Sequence, residues 1–152
     1  MQDADIRAFR HSLRALERIV VAQFKDSGCC QGVSLAQCHA LMEIESNGPL
    51  PLLDLAQGLG LDKSTMSRTV DGLVNIGLVE RQPHPRDRRS VLLTLSEQGK
   101  STCDNINRSN DALFRRVFDR LEPAKRESAL AGFQDLVQAM AAETEGPACS
   151  SA

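Results

Sequence analysis

Residues 52–68 read Leu52-Leu53-Asp54-Leu55-Ala56-Gln57-Gly58-Leu59-Gly60-Leu61-Asp62-Lys63-Ser64-Thr65-Met66-Ser67-Arg68. Their punctuation decides the fold. Leu52 to Gly60 fits a short helix stopped by glycine, and Asp62 is a good N-cap for a new helix from Lys63 to Ile76. Met66, Val70, Leu73 and Val74 fall on one face of that second helix and are expected to turn inward. Two short helices joined by Gly60-Leu61-Asp62 form a helix-turn-helix. The exposed start of the second helix carries Lys63, Ser64, Thr65, Ser67 and Arg68. Small side chains let a helix approach a DNA major groove, hydroxyls donate to phosphates or base edges, and an arginine can pair with guanine through two bonds.

Moving toward the C-terminus, Gly77 ends the second helix, and two short strands are expected at Leu78 to Gln82 and Ser90 to Leu95. Pro83-His84-Pro85-Arg86-Asp87-Arg88 between them reads as an exposed hairpin tip, because the two prolines forbid a regular strand. Arg81, Arg86, Arg88 and Arg89 meet only Asp87 as a local opposite charge, an excess of three positive charges. The whole chain is net negative, at −2 over 152 residues, so nucleic-acid binding requires basic residues concentrated on one face. A basic loop beside a recognition helix can reach a minor groove or the phosphate backbone. Either feature alone is more often an ordinary helical hairpin or a solvated turn. Joined in this order, from about Asp62 to Arg89, they point to DNA binding.

The flanks are helical. Ile6, Phe9, Leu13, Leu16, Val20 and Phe24 recur at helical steps across residues 5–25, and Ser34-Leu35-Ala36-Gln37 has the form of a capping box that opens a helix running to about Asn47. Pro49 and Pro51 mark a turn. Ser96 can cap a long helix striped by Cys103, Ile106, Leu113, Phe114, Val117 and Leu121. Pro123 can open a last one striped by Phe133, Leu136, Val137 and Met140. The expected fold is mainly α with a small β-hairpin wing. It forms a single domain over residues 1–142, with a frayed tail at 143–152. Hydrophobic residues make up 41% of the chain and charged residues 25%, a globular composition. With no Trp and no Tyr, the core must be mostly aliphatic, and five Phe are the only large anchors. The acidic N-terminus lacks the pattern of a signal peptide and no apolar run is long enough to span a membrane, so a cytoplasmic location without a membrane partner is expected.

Three runs taken together resemble one family closely: Leu55 to Arg68, Leu73-Val74-Asn75-Ile76-Gly77-Leu78-Val79-Glu80-Arg81, and Asp87-Arg88-Arg89-Ser90-Val91-Leu92-Leu93-Thr94-Leu95-Ser96-Glu97-Gln98-Gly99. That family is the multiple-antibiotic-resistance regulator (MarR) family, and the similarity extends from the first helix to about Met140. The resemblance implies a winged helix-turn-helix homodimer whose interface is built from the N- and C-terminal helices (residues 1–33 and 97–142), with residues 34–96 as the DNA-binding lobe. It implies a repressor of transcription on a pseudo-palindromic double-stranded operator, modulated by a small effector. On that resemblance Ser64, Thr65, Ser67 and Arg68 match recognition-helix positions. Asp87 and Arg88 match the wing, where the aspartate orients the arginine toward DNA.

Five cysteines, an odd number without a disulfide framework, raise the question of the effector. Cys29 and Cys30 are adjacent in a polar loop, Cys38 precedes His39 on the buried face of the second predicted helix, and Cys103 lies on the apolar face of the helix after the wing. Thiolates select soft metals or metalloids such as copper(I), zinc or trivalent arsenic. One reading therefore makes Cys29, Cys30, Cys38, His39 and Cys103 a sensor of arsenite, zinc, copper(I) or an oxidant. The other makes the cysteines small core hydrophobes, with no required cofactor and a phenolic or drug-like organic effector. Cys38-His39 also suggests a third reading, a thiol-dependent DNA alkyltransferase. It requires a Pro-Cys-His-Arg signature after the winged helix, whereas here Gln37 and Ala40 flank the pair and it precedes the helix-turn-helix. There is no Gly-rich phosphate loop, no His-Glu-x-x-His and no Gly-x-Ser-x-Gly, so an enzyme is not expected.

Overall fold

The computed structural model describes residues 2–26, 32–85 and 90–144. Its elements run α1 (Asp3–Asp26), α2 (Leu35–Asn47), β1 (Leu50–Pro51), α3 (Leu52–Gly58), α4 (Lys63–Asn75), β2 (Val79–Pro83), β3 (Val91–Leu95), α5 (Glu97–Asp119) and α6 (Pro123–Thr144). The chain divides within α5 into two compact units, Met1–Asn110 and Asp111–Ala152.

The first unit holds the winged helix. The Ser34 capping box forms as its sequence dictates. Ser34 Oγ accepts the Gln37 amide N–H at 3.2 Å, and Gln37 Oε1 accepts the Ser34 amide at 2.8 Å. The helix ends at Gly48, whose φ of 73° is the left-handed conformation that glycine adopts without a Cβ penalty. Cys38, Ala40, Leu41 and Ile44 form its buried face. They pack with Leu55 and Ala56 of α3, Met66, Val70 and Leu73 of α4, Val79 and Leu93 of the sheet, and Cys103 and Ile106 of α5.

This core is aliphatic, as the composition requires, but the expectation that phenylalanines anchor it fails. Phe9, Phe114 and Phe133 are all exposed. They lie on α1, on α5 beyond its buried Cys103 and Ile106, and on α6, and Phe118 is half-buried.

The sheet has three strands rather than two, in the order β1-β3-β2, all antiparallel. Leu50 pairs with Leu93 and Pro51 with Leu92. The segment reads as a turn because two prolines bracket it. An edge strand tolerates proline, since the missing N–H faces away from the ladder. Pro83 is likewise the last residue of the other edge strand, opposite Val91.

Ser96 fastens the unit together. Its Oγ donates to the Gly77 carbonyl at 2.6 Å and accepts the Gly99 amide at 2.9 Å, and its own amide donates to the Leu78 carbonyl at 3.1 Å. One residue thus caps α5 and ties it to the turn that leaves α4. Contact is close enough that a Cβ on Gly99 would stand 2.1 Å from the Leu78 carbonyl oxygen.

In the second unit α6 begins at Pro123. Arg126 bonds the Leu121 and Asp119 carbonyls and pairs with the Asp119 carboxylate at 3.5 Å, closing the turn between α5 and α6.

Candidate nucleic-acid interface

α4 begins at the Asp62 N-cap. Asp62 Oδ1 accepts the Thr65 amide at 2.9 Å and Oδ2 accepts the Thr65 hydroxyl proton at 2.6 Å. These two bonds, with a further backbone bond from Ser64 and the nearby Arg68 charge, hold the Asp62 carboxyl below the usual carboxylate range. Thr65 therefore has a local task that its position in the motif does not reveal: its hydroxyl proton is committed to the cap.

With Met66, Val70 and Leu73 buried, the opposite ridge of α4 presents Ser64, Arg68, Asp71 and Asn75 to solvent, at steps of four, three and four residues. Lys63 is exposed beside this ridge and Ser67 is half-buried. Lys63, Ser64 and Arg68 thus share an accessible surface at the start of the helix, where a major groove is read.

Arg81 corrects one reading of the wing. Its guanidinium pairs with Asp71 Oδ1 at 2.6 Å, so its opposite charge lies on α4, ten residues upstream in the chain. That partner is remote enough in sequence to be invisible to a tally of local charges. Arg86, Asp87, Arg88 and Arg89 lie outside the described residues.

Of the cysteines raised as sensor residues, Cys29 and Cys30 also lie outside the described residues. Cys38 and Cys103 are buried thiols, 3% and 0% exposed. Burial first, then the Glu45 charge, Cys38 and Asp104, push the Cys103 thiol up to about 12. A thiol that keeps its proton when folded but loses it near the ordinary value of 9.0 when unfolded withdraws stability as pH rises between those values. Below that interval it is neutral in both states. His39 is exposed, away from the buried face that holds Cys38. Among the described residues no three His, Cys, Asp or Glu side chains are grouped to hold a metal ion.

A separate cleft of about 370 Å³ opens at the base of the wing, lined by Ile44, Glu45, Gln82, Thr94, Leu95 and Lys100 among others. The Thr94 hydroxyl is buried and has no hydrogen-bond partner among the described residues. No helix among the described residues is long and apolar enough to cross a membrane.

A helix-turn-helix with a three-stranded wing and a polar, cationic helix start defines a winged helix-turn-helix DNA-binding transcriptional regulator. Residues 33–91 match the model of the MarR family, and the chain is similar to members of that family. It is similar to an uncharacterized HTH-type transcriptional regulator of Mycobacterium bovis, Mb0904, with 28% identity covering 95% of this chain and 99% of that protein. The fold superposes on a MarR family protein from Bacillus stearothermophilus with a TM-score of 0.83, at 20% identity over 93% of this chain and 99% of that one. It also superposes on Streptococcus pneumoniae FabT, solved in complex with DNA, with a TM-score of 0.76 at 18% identity over 88% and 95% of the two chains. Its relatives are named as regulators of transcription, and it is a regulator rather than an enzyme.

Proposed function

We propose that the protein is a homodimeric repressor that reads an inverted-repeat operator with α4 and the wing. The observation that carries this reading is the exposed ridge of α4, where Ser64 and Arg68 stand clear of every core contact at the N-terminal half of the recognition helix. The DNA complex formed by a protein of the same fold supports it. The dimer is supported by apolar surface that the single chain leaves bare: Ile6, Phe9 and Leu16 on α1, and Phe114, Leu130, Phe133, Val137 and Met140 on α5 and α6. A two-fold dimer sets its recognition helices about 34 Å apart, one DNA turn, and so selects an inverted repeat.

Competition binding with salt titration tests the site. Arg68→Ala is expected to weaken operator binding by about 1–3 kcal/mol, and to weaken it more on operator than on random duplex, as loss of a base contact does. Arg88→Ala is expected to weaken both DNAs alike and to lower the salt slope by about one, as loss of a phosphate contact does. Unchanged affinity in both variants would remove the site.

The effector in this reading is a small organic molecule, and Cys38 and Cys103 are core. Both thiols are buried, and the Cys103 thiol, pushed up to about 12, is a poor metal ligand and a poor nucleophile, which supports packing over sensing. The cleft beneath the wing has the size of a small-ligand site. Native protein at pH 8 is expected to leave Cys38 and Cys103 unmodified by iodoacetamide. Arsenite, zinc, copper(I) and peroxide are expected to leave the operator complex intact. A response to any of the four that disappears in a Cys29→Ser/Cys30→Ser variant would reinstate the thiol sensor.

A further inference from the structure

Asp71 is the one acidic residue of α4, and it stands on the exposed ridge with Ser64 and Arg68. A carboxylate on a surface presented to a polyanion opposes binding unless its charge is cancelled. Arg81 cancels it from the neighbouring element. The guanidinium reaches from β2 and donates to Asp71 Oδ1 at 2.6 Å, with both side chains well exposed, 41% for Arg81 and 50% for Asp71.

We propose that Asp71 is a specificity-determining residue of the recognition helix and that Arg81 is its positioning residue. This rests on the DNA-binding reading above. The pair engages Oδ1, and among the described residues no other bond takes Oδ2, an acceptor on the ridge beyond Arg68. An aspartate oxygen in a major groove accepts from an exocyclic amino group, above all N4 of cytosine. The same bond ties the exposed face of α4 to β2 of the wing, so that helix and wing meet DNA in a fixed register. An isolated exposed pair of this kind contributes little to folding. A functional role is therefore separable from a structural one.

The test begins with in vitro selection of binding sites by the wild-type protein from a pool of random duplexes. Affinities of four proteins are then measured on the selected duplex and on a random one: wild type, Asp71→Asn, Arg81→Ala and Asp71→Ala/Arg81→Ala. Asp71→Asn is expected to bind the selected duplex about tenfold more weakly, and to select a motif altered at one base pair in each half. Arg81→Ala is expected to weaken binding to both duplexes, because it bares the carboxylate. The double variant is expected to recover most of that loss on random duplex and little of it on the selected one. Thermal midpoints of all four should coincide. If Asp71→Asn selects the wild-type motif with wild-type affinity, Asp71 reads nothing and the proposal fails. If the double variant binds random duplex no better than Arg81→Ala, Arg81 acts through its own phosphate contact and the neutralising role fails. Should the wild type enrich no motif, the DNA-binding reading itself falls and this proposal with it.

Discussion

Gly99→Ala is expected to lower folding stability by about 3 kcal/mol, at the upper end of what one added methyl costs in a filled site. The new Cβ would sit 2.1 Å from the Leu78 carbonyl oxygen and 3.1 Å from its carbon. Both partners are backbone, so no side chain can rotate away. Relief requires the first turn of α5 to withdraw from the turn after α4. That movement strains all three Ser96 bonds, to Gly77, Leu78 and Gly99. Gly72→Ala is the matching control. Its Cβ would meet Nε2 of Gln37 at 2.7 Å, the far end of a side chain whose Oε1 closes the Ser34 capping box, so giving way costs at most that cap, about 1 kcal/mol, and the variant should lose less. Urea unfolding of the two variants measures the difference. A Gly99→Ala midpoint equal to wild type would mean that α5 does not approach Leu78 this closely.

Phe133→Glu/Val137→Glu is expected to convert the proposed dimer to a monomer at micromolar concentration. Both residues are half-exposed in the single chain, 53% and 50%, so the fold loses little when they are replaced. In a dimer each would bury apolar area contributing about 1.5–3 kcal/mol, and four buried carboxylates per dimer would oppose association strongly. Loss of the dimer makes the two half-sites independent. Linkage of two modules raises affinity by about 10²- to 10⁴-fold, and operator affinity should fall by that order. Sedimentation and operator binding are measured on the same preparation. A variant that sediments as a dimer would place the interface elsewhere.

Much of the fold is legible because its signals are local. The Ser34 box, the Asp62 cap, the glycine stops and the Ser96 cap each act within three or four residues, and the helices begin and end close to where these signals fall. The strand β1 is not legible. It is two residues long, and its pairing with β3 spans more than forty positions in sequence. The phenylalanines mislead for a related reason. Apolar periodicity marks a face that must be covered, but not whether the same chain covers it. At the site, the ridge of Ser64 and Arg68 follows from helical periodicity alone. The commitment of Thr65 to the cap and of Arg81 to Asp71 depends on side-chain geometry, and the second joins elements that spacing cannot connect. The buried state of Cys38 and Cys103 is foreshadowed by their place on apolar helix faces. The shift of Cys103 is not, because it arises from desolvation and from Glu45 on another helix.

The central claim is that this chain reads a specific inverted repeat with α4 and the wing. Selection by the purified wild-type protein from a random duplex pool, followed by affinity measurement at several salt concentrations, tests it most directly. One enriched motif is expected, with two symmetric halves centred about 10 base pairs apart, bound at least about 10³-fold more tightly than random duplex at physiological salt. A pool that returns no motif, or a protein that binds the selected and random duplexes with equal affinity and equal salt slope, would contradict it.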